Sequence, residues 1–449
     1  MKRRSFLATS AAATFGFQVV PSHVVRAQQG GQTPNNKIRL GVIGCGGQGG
    51  GDLQQMASEC DVVALTDVDE RRAAESFDRH PEAKRYTDFR KMFDEKADDL
   101  DAVLVATPDH THYVAVMAAL DAGKHVYCEK PLAHSVAELR SMRERALEKK
   151  VITQVGNQGH SDEAIRVFCE LIWSGAIGDV TQVNMGCDAF KEVYSQIGRK
   201  GELEQQHEVP KEVDWDLWLG PAADRPYHPN YLPFNWRGYS AFGSGCIGDW
   251  ICHVLDPTFW ALDLDMPTAV TAEVEGYDPK TDFEFYPQGT KIAFEFPAKG
   301  ERPAVKVVWH DGNFSIPRPD DLEEGRQMHG TGAAVIGTKG TIIHGSHGAG
   351  GVRIVPEEKM KEFGRPEQKI ERAPHGHHRG WLSMIRDGKQ DGSSFEYGGA
   401  MSEVGLLGMI AIRFPGQRLL WDEKAMKFTN NDDANKLVKP DYRAPWQFG

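Results

Sequence analysis

The run Gly44-Cys45-Gly46-Gly47-Gln48-Gly49 places glycines at its first, third and sixth positions. Between an apolar strand and a helix, that spacing leaves backbone N–H groups free to hold a pyrophosphate. The strand in front is supplied by Ile38-Arg39-Leu40-Gly41-Val42-Ile43, and a second one, Val62-Val63-Ala64-Leu65, ends near Asp67. A carboxylate there, about 20 residues past the first, can accept both hydroxyls of an adenosine ribose. It would repel a 2′-phosphate, so the pattern predicts NAD over NADP. Arg71 and Arg72 stand close enough to keep NADP open.

Two other groups of residues can move protons. Cys128-Glu129-Lys130-Pro131 closes a short predicted strand, and the carboxyl ends of parallel strands are where open α/β sheets place ligands. A lysine there can hydrogen-bond a substrate hydroxyl and favour its ionisation; its plain alternative is a surface lysine ahead of a helix-starting proline. Further on, Asp249 and His253 are four residues apart and share one face of a helix. An imidazole near an acid is a natural proton acceptor around neutral pH. Taken singly, a helix with one satisfied histidine is the plainer reading of that pair.

These residues need a scaffold, and residues 37–156 alternate strand and helix patterns. Strands are expected at 38–43, 62–65, 101–106, 124–128 and 151–155, with helices at 113–122 and 136–149. Such alternation predicts a parallel sheet covered on both faces, an N-terminal Rossmann dinucleotide-binding domain. From 157 to 449 one helix, 162–174, precedes strand-like runs at 180–185, 269–274, 291–296, 304–309, 333–336 and 352–355. This predicts an α+β domain built on a large, mostly antiparallel open sheet. A long aromatic and proline-rich passage occupies 191–245, including Trp215, Trp218, Tyr227, Tyr231 and Trp236; loops that long in a compact domain tend to be functional.

Hydrophobic residues make up 40% of the 449 and charged residues 26%, the balance of a soluble globular protein. The net charge of −12 and the scatter of Lys and Arg argue against nucleic acid as a partner. The seven cysteines form no C-x-x-C pair and no metal-site spacing, and are read as buried small hydrophobes. The amino end differs from the rest. Lys2-Arg3-Arg4-Ser5-Phe6-Leu7, an Ala-rich run to Val20 and Val25-Arg26-Ala27 form a twin-arginine (Tat) signal over 1–27, cleaved after Ala27, with 28–36 a flexible lead-in. The apolar run is too short for a stable membrane span. Passage through a Tat translocase implies a periplasmic protein of a Gram-negative bacterium. It also implies a tightly bound cofactor, because that pathway carries folded proteins and a periplasm has no nicotinamide pool.

In combination these motifs resemble the Gfo/Idh/MocA family, named for glucose–fructose oxidoreductase, inositol dehydrogenase and a rhizopine-catabolism protein. The resemblance rests on the glycine loop, Ala106-Thr107-Pro108-x-x-x-His112, Ala122-Gly123-Lys124-His125-Val126, Glu129-Lys130-Pro131 and Gly245-x-x-x-Asp249-x-x-x-His253. It implies that Lys130 polarises the reacting hydroxyl, that His253 is the general base in oxidation, and that Asp249 orients the sugar and tunes the proton transfer. It implies a cofactor site lined by Gly44, Gly46, Gly47, Gln48, Gly49, Asp67, Thr107, Pro108, His112 and Glu129, with Asn157 and Gln158 near the nicotinamide. A homodimer or homotetramer is implied by the same likeness.

A secreted subgroup is suggested by Trp215-Asp216-x-Trp218-Leu219-Gly220-Pro221, Arg225-Pro226-Tyr227, Trp236-Arg237 and Tyr442-Arg443. Arg237 could contact the sugar or make a cation–π contact within the fold. His375, His377 and His378 precede a predicted helix at 381–386. They read as a metal cluster, as a solvated loop, or as a loop lending His378 to the sugar site, with no metal as the favoured expectation.

The expected activity is NAD(P)-dependent oxidation or reduction of a sugar, glycoside or polyol. A redox-neutral, NAD-dependent glycoside hydrolase or lyase, working by oxidation and elimination, is the alternative. A non-catalytic sugar-binding protein is the weaker third.

Overall fold

The computed structural model describes residues 37–448. The expected twin-arginine signal, its expected cleavage site and the expected lead-in to residue 36 lie outside the described residues. Two sheets organise the rest. The first is six-stranded and wholly parallel, with β1 (Ile38–Ile43), β2 (Cys60–Thr66), β3 (Lys84–Tyr86), β4 (Ala102–Val105), β5 (His125–Cys128) and β6 (Thr153–Val155) in the order β3-β2-β1-β4-β5-β6. All four residues of β4 are buried, as a strand covered on both faces requires. The order reverses between β1 and β4, which opens a crevice at their carboxyl ends.

The second sheet has nine strands. They are β7 (Val180–Cys187), β8 (Ala269–Glu275), β9 (Gly289–Phe296), β10 (Val305–Gly312), β11 (Gly332–Gly337), β12 (Thr341–Gly345), β13 (Arg353–Val355), β14 (Leu419–Asp422) and β15 (Lys427–Phe428). Their order is β13-β12-β11-β7-β10-β9-β8-β14-β15. Only the β7–β10 pair is parallel, so the sheet is mixed but mostly antiparallel, as expected. Along β9 Ile292, Phe294 and Phe296 are buried while Lys291, Ala293 and Glu295 are half-exposed, the alternation of a strand with one covered face.

Two helices from the carboxyl-terminal half position the site. Phe395–Ala411 is buried nearly all round and packs across Gly245–Val254, the helix that carries Asp249 and His253. Glycines allow the close approach: a Cβ at Gly408 would stand 2.6 Å from Ile247 Cδ1 and 2.9 Å from Phe294 Cζ. Gly376–Asp387 returns to the Rossmann sheet, where Trp381 and Leu382 join the core of Leu40, Val42 and Leu104. The glycine-rich contact makes a direct prediction. Gly408→Val should lower stability by roughly 1–3 kcal/mol through overpacking, read from the urea midpoint; an unchanged midpoint would mean that the helix pair has room to spare.

Candidate active site

The crevice is a cavity of about 400 Å³. Gly44 turns the chain at its rim with φ of +81°, and a Cβ there would lie 2.7 Å from the Ala106 carbonyl oxygen. At Gly49 a Cβ would meet the Gly44 carbonyl oxygen at 1.9 Å, so the helix Gly47–Met56 can start only where glycine lets it close on the loop. That helix has no side-chain cap and no acid in its first turn. Gly46, Gly47 and Gln48 line the cavity, which presents the positive end of the helix to it. The Asp67 carboxylate stands at the same rim and accepts from the N–H groups of Gly46 and Asp69, both at 3.0 Å. Burial pushes its carboxyl up to about 6. A glycine cradle that a Cβ would fill, an uncapped helix start and a carboxylate beside them fit a dinucleotide.

At the far end of the cavity, where β5 stops, Lys130 reaches across to the second half of the chain. Its Nζ donates to Asp249 Oδ1 at 2.7 Å. Asp249 is also approached by Arg237 Nε at 3.3 Å and accepts from the Tyr194 hydroxyl, which in turn accepts from Trp250 Nε1 at 2.7 Å. Burial alone would raise the Asp249 carboxyl, but the Lys130 and Arg237 cations and the hydrogen bonds hold it well below the usual carboxylate range. Burial works against the Lys130 charge, yet the Asp249 carboxylate keeps the ammonium above its ordinary value. His253, one turn beyond Asp249, is driven the other way: burial first, then Lys130 and His347, hold its imidazole neutral. Its Nδ1 is buried without a partner, and its ring stacks on that of His347 at 4.1 Å between centroids.

The expected residues fall into three groups. Gly44, Gly46, Gly47, Gln48, Asp67, Thr107, Pro108, Glu129, Lys130 and Arg237 all line the cavity. Asp249 and His253 stand behind its Lys130 end. The others act at a distance from it or not at all. Gly49 is a packing residue. His112 is fully buried with its ring nitrogens 2.8 Å from the carbonyl oxygens of Pro131 and Thr107, so it braces the two loops that flank the crevice. Gln158 donates to Glu129 Oε1 at 2.8 Å and so supports a lining residue. Asn157 is buried and donates to Asp256 Oδ2 at 2.9 Å, beside His160 and Tyr397 on the same carboxylate.

His378 does not reach the Lys130–Asp249 end. It lies within the helix Gly376–Asp387, not in a loop before it, with Nε2 3.0 Å from Asp52 Oδ1 and its ring stacked on Tyr127. Its place under the glycine-loop helix follows from the burial of Trp381 one turn later. Among the described residues no group of histidine, cysteine and carboxylate side chains is arranged to hold a metal. All seven cysteines are buried and unpaired. No helix of the described residues is long and apolar enough to cross a membrane.

Three neighbours of the site carry no sequence signal. Tyr194 sits on a four-residue helix in the aromatic passage, and His347 on a loop where its own φ is +53°. Asp109 lines the cavity and accepts from the Ser244 N–H at 3.0 Å, which ties the Rossmann half to the start of the Asp249 helix. Burial, reinforced by the Asp249 charge, pushes its carboxyl up to about 7.

Comparison with known proteins adds to this geometry. Residues 38–157 match the family model described as an oxidoreductase family with an NAD-binding Rossmann fold, and residues 162–295 match that family's C-terminal alpha/beta domain. A levoglucosan dehydrogenase of Pseudarthrobacter phenanthrenivorans is 29% identical over 62% of this chain and 63% of its own length. An inositol 2-dehydrogenase of Salmonella paratyphi B is 31% identical over 33% of this chain and 45% of its own. The match therefore spans less than two thirds of either relative. Among solved structures, an inositol dehydrogenase homologue from Azotobacter vinelandii complexed with NAD+ shares the fold. Its TM-score is 0.58 at 17% identity, over 88% of this chain and 100% of that one.

The Asp67 geometry generates a prediction. Asp67→Ala should weaken NADH binding by about tenfold or more, the loss of hydrogen bonds to a charged acceptor, and NADPH binding much less. Because the ribose hydroxyls favour the ionised carboxylate, wild-type affinity should fall as the pH drops below about 6, and the variant should lack that step. Fluorescence titration at pH 5 and 7.5 measures both; equal losses for the two nucleotides would remove Asp67 from the ribose.

Proposed function

This chain belongs to the Gfo/Idh/MocA family of oxidoreductases, and from that premise we propose that it moves a hydride between NAD and a carbinol carbon of a sugar, glycoside or polyol. The observation that carries the reading is the Lys130 ammonium, held 2.7 Å from Asp249 at the end of the dinucleotide cavity, one helical turn from a neutral imidazole. The nicotinamide, when bound, supplies the hydride acceptor. Lys130 stays protonated, so it donates to the reacting oxygen and stabilises the negative charge that develops there. His253, uncharged, takes the hydroxyl proton. Asp249 is engaged by two cations and a phenol, and acts by fixing Lys130 and Arg237 in place. Arg237 lies 4.2 Å from both the Phe234 and the Trp236 ring centroids, which makes it a rigid donor toward a sugar hydroxyl. The relatives named for levoglucosan and inositol support that substrate class.

One observation favours the redox-neutral glycosidase or lyase as a second reading. Oxidation followed by elimination needs a base for a carbon-bound proton as well as one for the hydroxyl, and His253 with His347 offers two imidazoles 4.1 Å apart.

The amino-terminal sequence supports export by the Tat translocase to a periplasm, with NAD carried inside and regenerated in place, for example by oxidising one sugar and reducing another. A homodimer or homotetramer through the outer face of the nine-stranded sheet, where Glu273 and Lys306 point to solvent, belongs to the same proposal.

His253→Ala should lower kcat by about 10²–10⁴-fold, the range for loss of a positioned general base, and leave NADH affinity unchanged; normal turnover takes His253 out of the mechanism. Nitrophenyl glycosides supplied without added cofactor separate the two chemistries. Lasting reduced-nicotinamide absorbance marks the dehydrogenase, and release of nitrophenol marks the redox-neutral route. Export predicts a mature chain beginning at Gln28, read by mass spectrometry of a periplasmic extract; an intact Met1 in a purely cytoplasmic protein argues against it.

A further inference from the structure

Two segments that the chemistry leaves unused, the Trp215–Pro221 motif and the closing Tyr442-Arg443, meet over one end of the cavity. Val213 forms an isolated antiparallel bridge with Asp69. The Asp214 N–H donates to the Val68 carbonyl at 2.9 Å, and the Glu70 N–H donates to the Glu212 carbonyl at 3.0 Å. Residues 212–214 are thereby laid along the turn that follows Asp67. The helix Trp215–Leu219 then carries Leu217 and Trp218 into the cavity wall, which also includes Thr87 and Phe89.

Trp446 lines the same end. Its ring lies 6.0 Å from that of Phe89, with the Arg90 guanidinium 4.6 Å above it. One side chain joins the two segments. Arg443 donates through Nε to the Gly220 carbonyl at 2.8 Å and through Nη2 to the Asp216 carbonyl at 2.6 Å. Through Nη1 it donates to the carboxylates of Asp216 at 2.7 Å and Asp224 at 2.9 Å. The tail that carries it is seated on the Rossmann helices, with the Tyr442 hydroxyl on Glu138 and the Phe448 ring stacked on Tyr113.

We propose that residues 212–220 and 442–446 form a wall over the adenosine end of the bound NAD, latched by Arg443, and that this wall makes NAD a resident cofactor. The proposal rests on the dinucleotide reading of the cavity. Asp67 would hold the ribose, so Phe89 on one side and Leu217 and Trp446 on the other would flank the adenine. An adenine entering or leaving past that wall must part Trp446 from Phe89 and Arg443 from Asp216. A barrier of that kind acts on both directions of exchange, whereas a contact that merely adds affinity slows only departure. Apart from Thr87 and Phe89, none of these wall residues belongs to the Rossmann half of the chain, so the retention of the cofactor is assigned to the rest of the chain.

The test uses the mature full-length chain, wild type and with Arg443→Gln, Trp446→Ala or Asp216→Asn. Each protein is loaded with NADH, freed of excess nucleotide and chased with NAD, and loss of bound NADH fluorescence gives the dissociation rate. Association is followed separately on nucleotide-free protein. Arg443→Gln and Asp216→Asn should speed both association and dissociation by about tenfold or more and leave Kd within about threefold, as expected when a gate rather than a contact is lost; Trp446→Ala should speed both as well and also raise Kd, because its ring lines the cavity. Thermal unfolding checks that Arg443→Gln keeps its tail seated, and Asp216→Asn weakens the same latch from the exposed partner by removing one of its two carboxylates. Unchanged association in all three variants, or wild-type exchange as fast as theirs, overturns the latch and leaves the dinucleotide site standing. A wild-type protein that binds neither NADH nor NADPH overturns both.

Discussion

A single desolvated carboxylate, Asp249, ties the molecule together. It lies on a helix of the second half, and the lysine that meets it lies at the end of a Rossmann strand. Withdrawing such a pair from water costs several kcal/mol per ion, and replacing it with apolar side chains is often neutral or favourable. Stability therefore gives little reason to keep it. What it provides is a fixed ammonium beside a cavity; burial, helped by that ammonium and opposed by the Asp249 charge, leaves the next imidazole uncharged. Most of the surrounding structure can be understood as holding that arrangement. The Ser244 N–H on Asp109 pins the start of the helix, Gly405 and Gly408 let the helix Phe395–Ala411 press it forward, and Tyr194 and Arg237 fill the remaining valences of the carboxylate.

Burial and local propensity decide which parts of the fold are legible from residues alone. β4 is a continuous apolar run because both of its faces are covered, β1 and β2 become so after Arg39 and Asp61 near their starts, and the glycine spacing between those two can be read directly. The helix Val136–Lys149 carries its own start signal, a capping box between Ser135 and Glu138. By contrast the helix Phe395–Ala411 is apolar on every side and holds four glycines, so it has neither the period nor the propensity of a helix; its tertiary contacts create it. β3 and β15 are too short to show a period.

Site residues divide in a similar way. Lys130, Asp249 and His253 sit in motifs whose spacing places them. Tyr194 and His347 come from a long loop and a tight turn, and only the folded chain brings them to Asp249 and His253. His378 shows the converse error. A histidine near a helix start looked available to a ligand, but burial of Trp381 in the Rossmann core draws the whole turn beneath the glycine loop. The tryptophan motif near residue 216 and the arginine at 443 were visible as patterns, but nothing in the sequence showed that they touch.

The proposed chemistry depends most on the protonation of His253, since a proton acceptor must be uncharged when the substrate hydroxyl arrives. Isotope-edited NMR of imidazole-labelled, NAD-loaded protein measures it directly, with His253→Ala supplying the assignment. The account predicts that the His253 resonances stay those of a neutral ring from pH 8 down through 6.5, the ordinary histidine midpoint. A midpoint at or above 6.5 would contradict it, because the Lys130 charge and the burial on which the proposed chemistry rests would then not be acting on that ring.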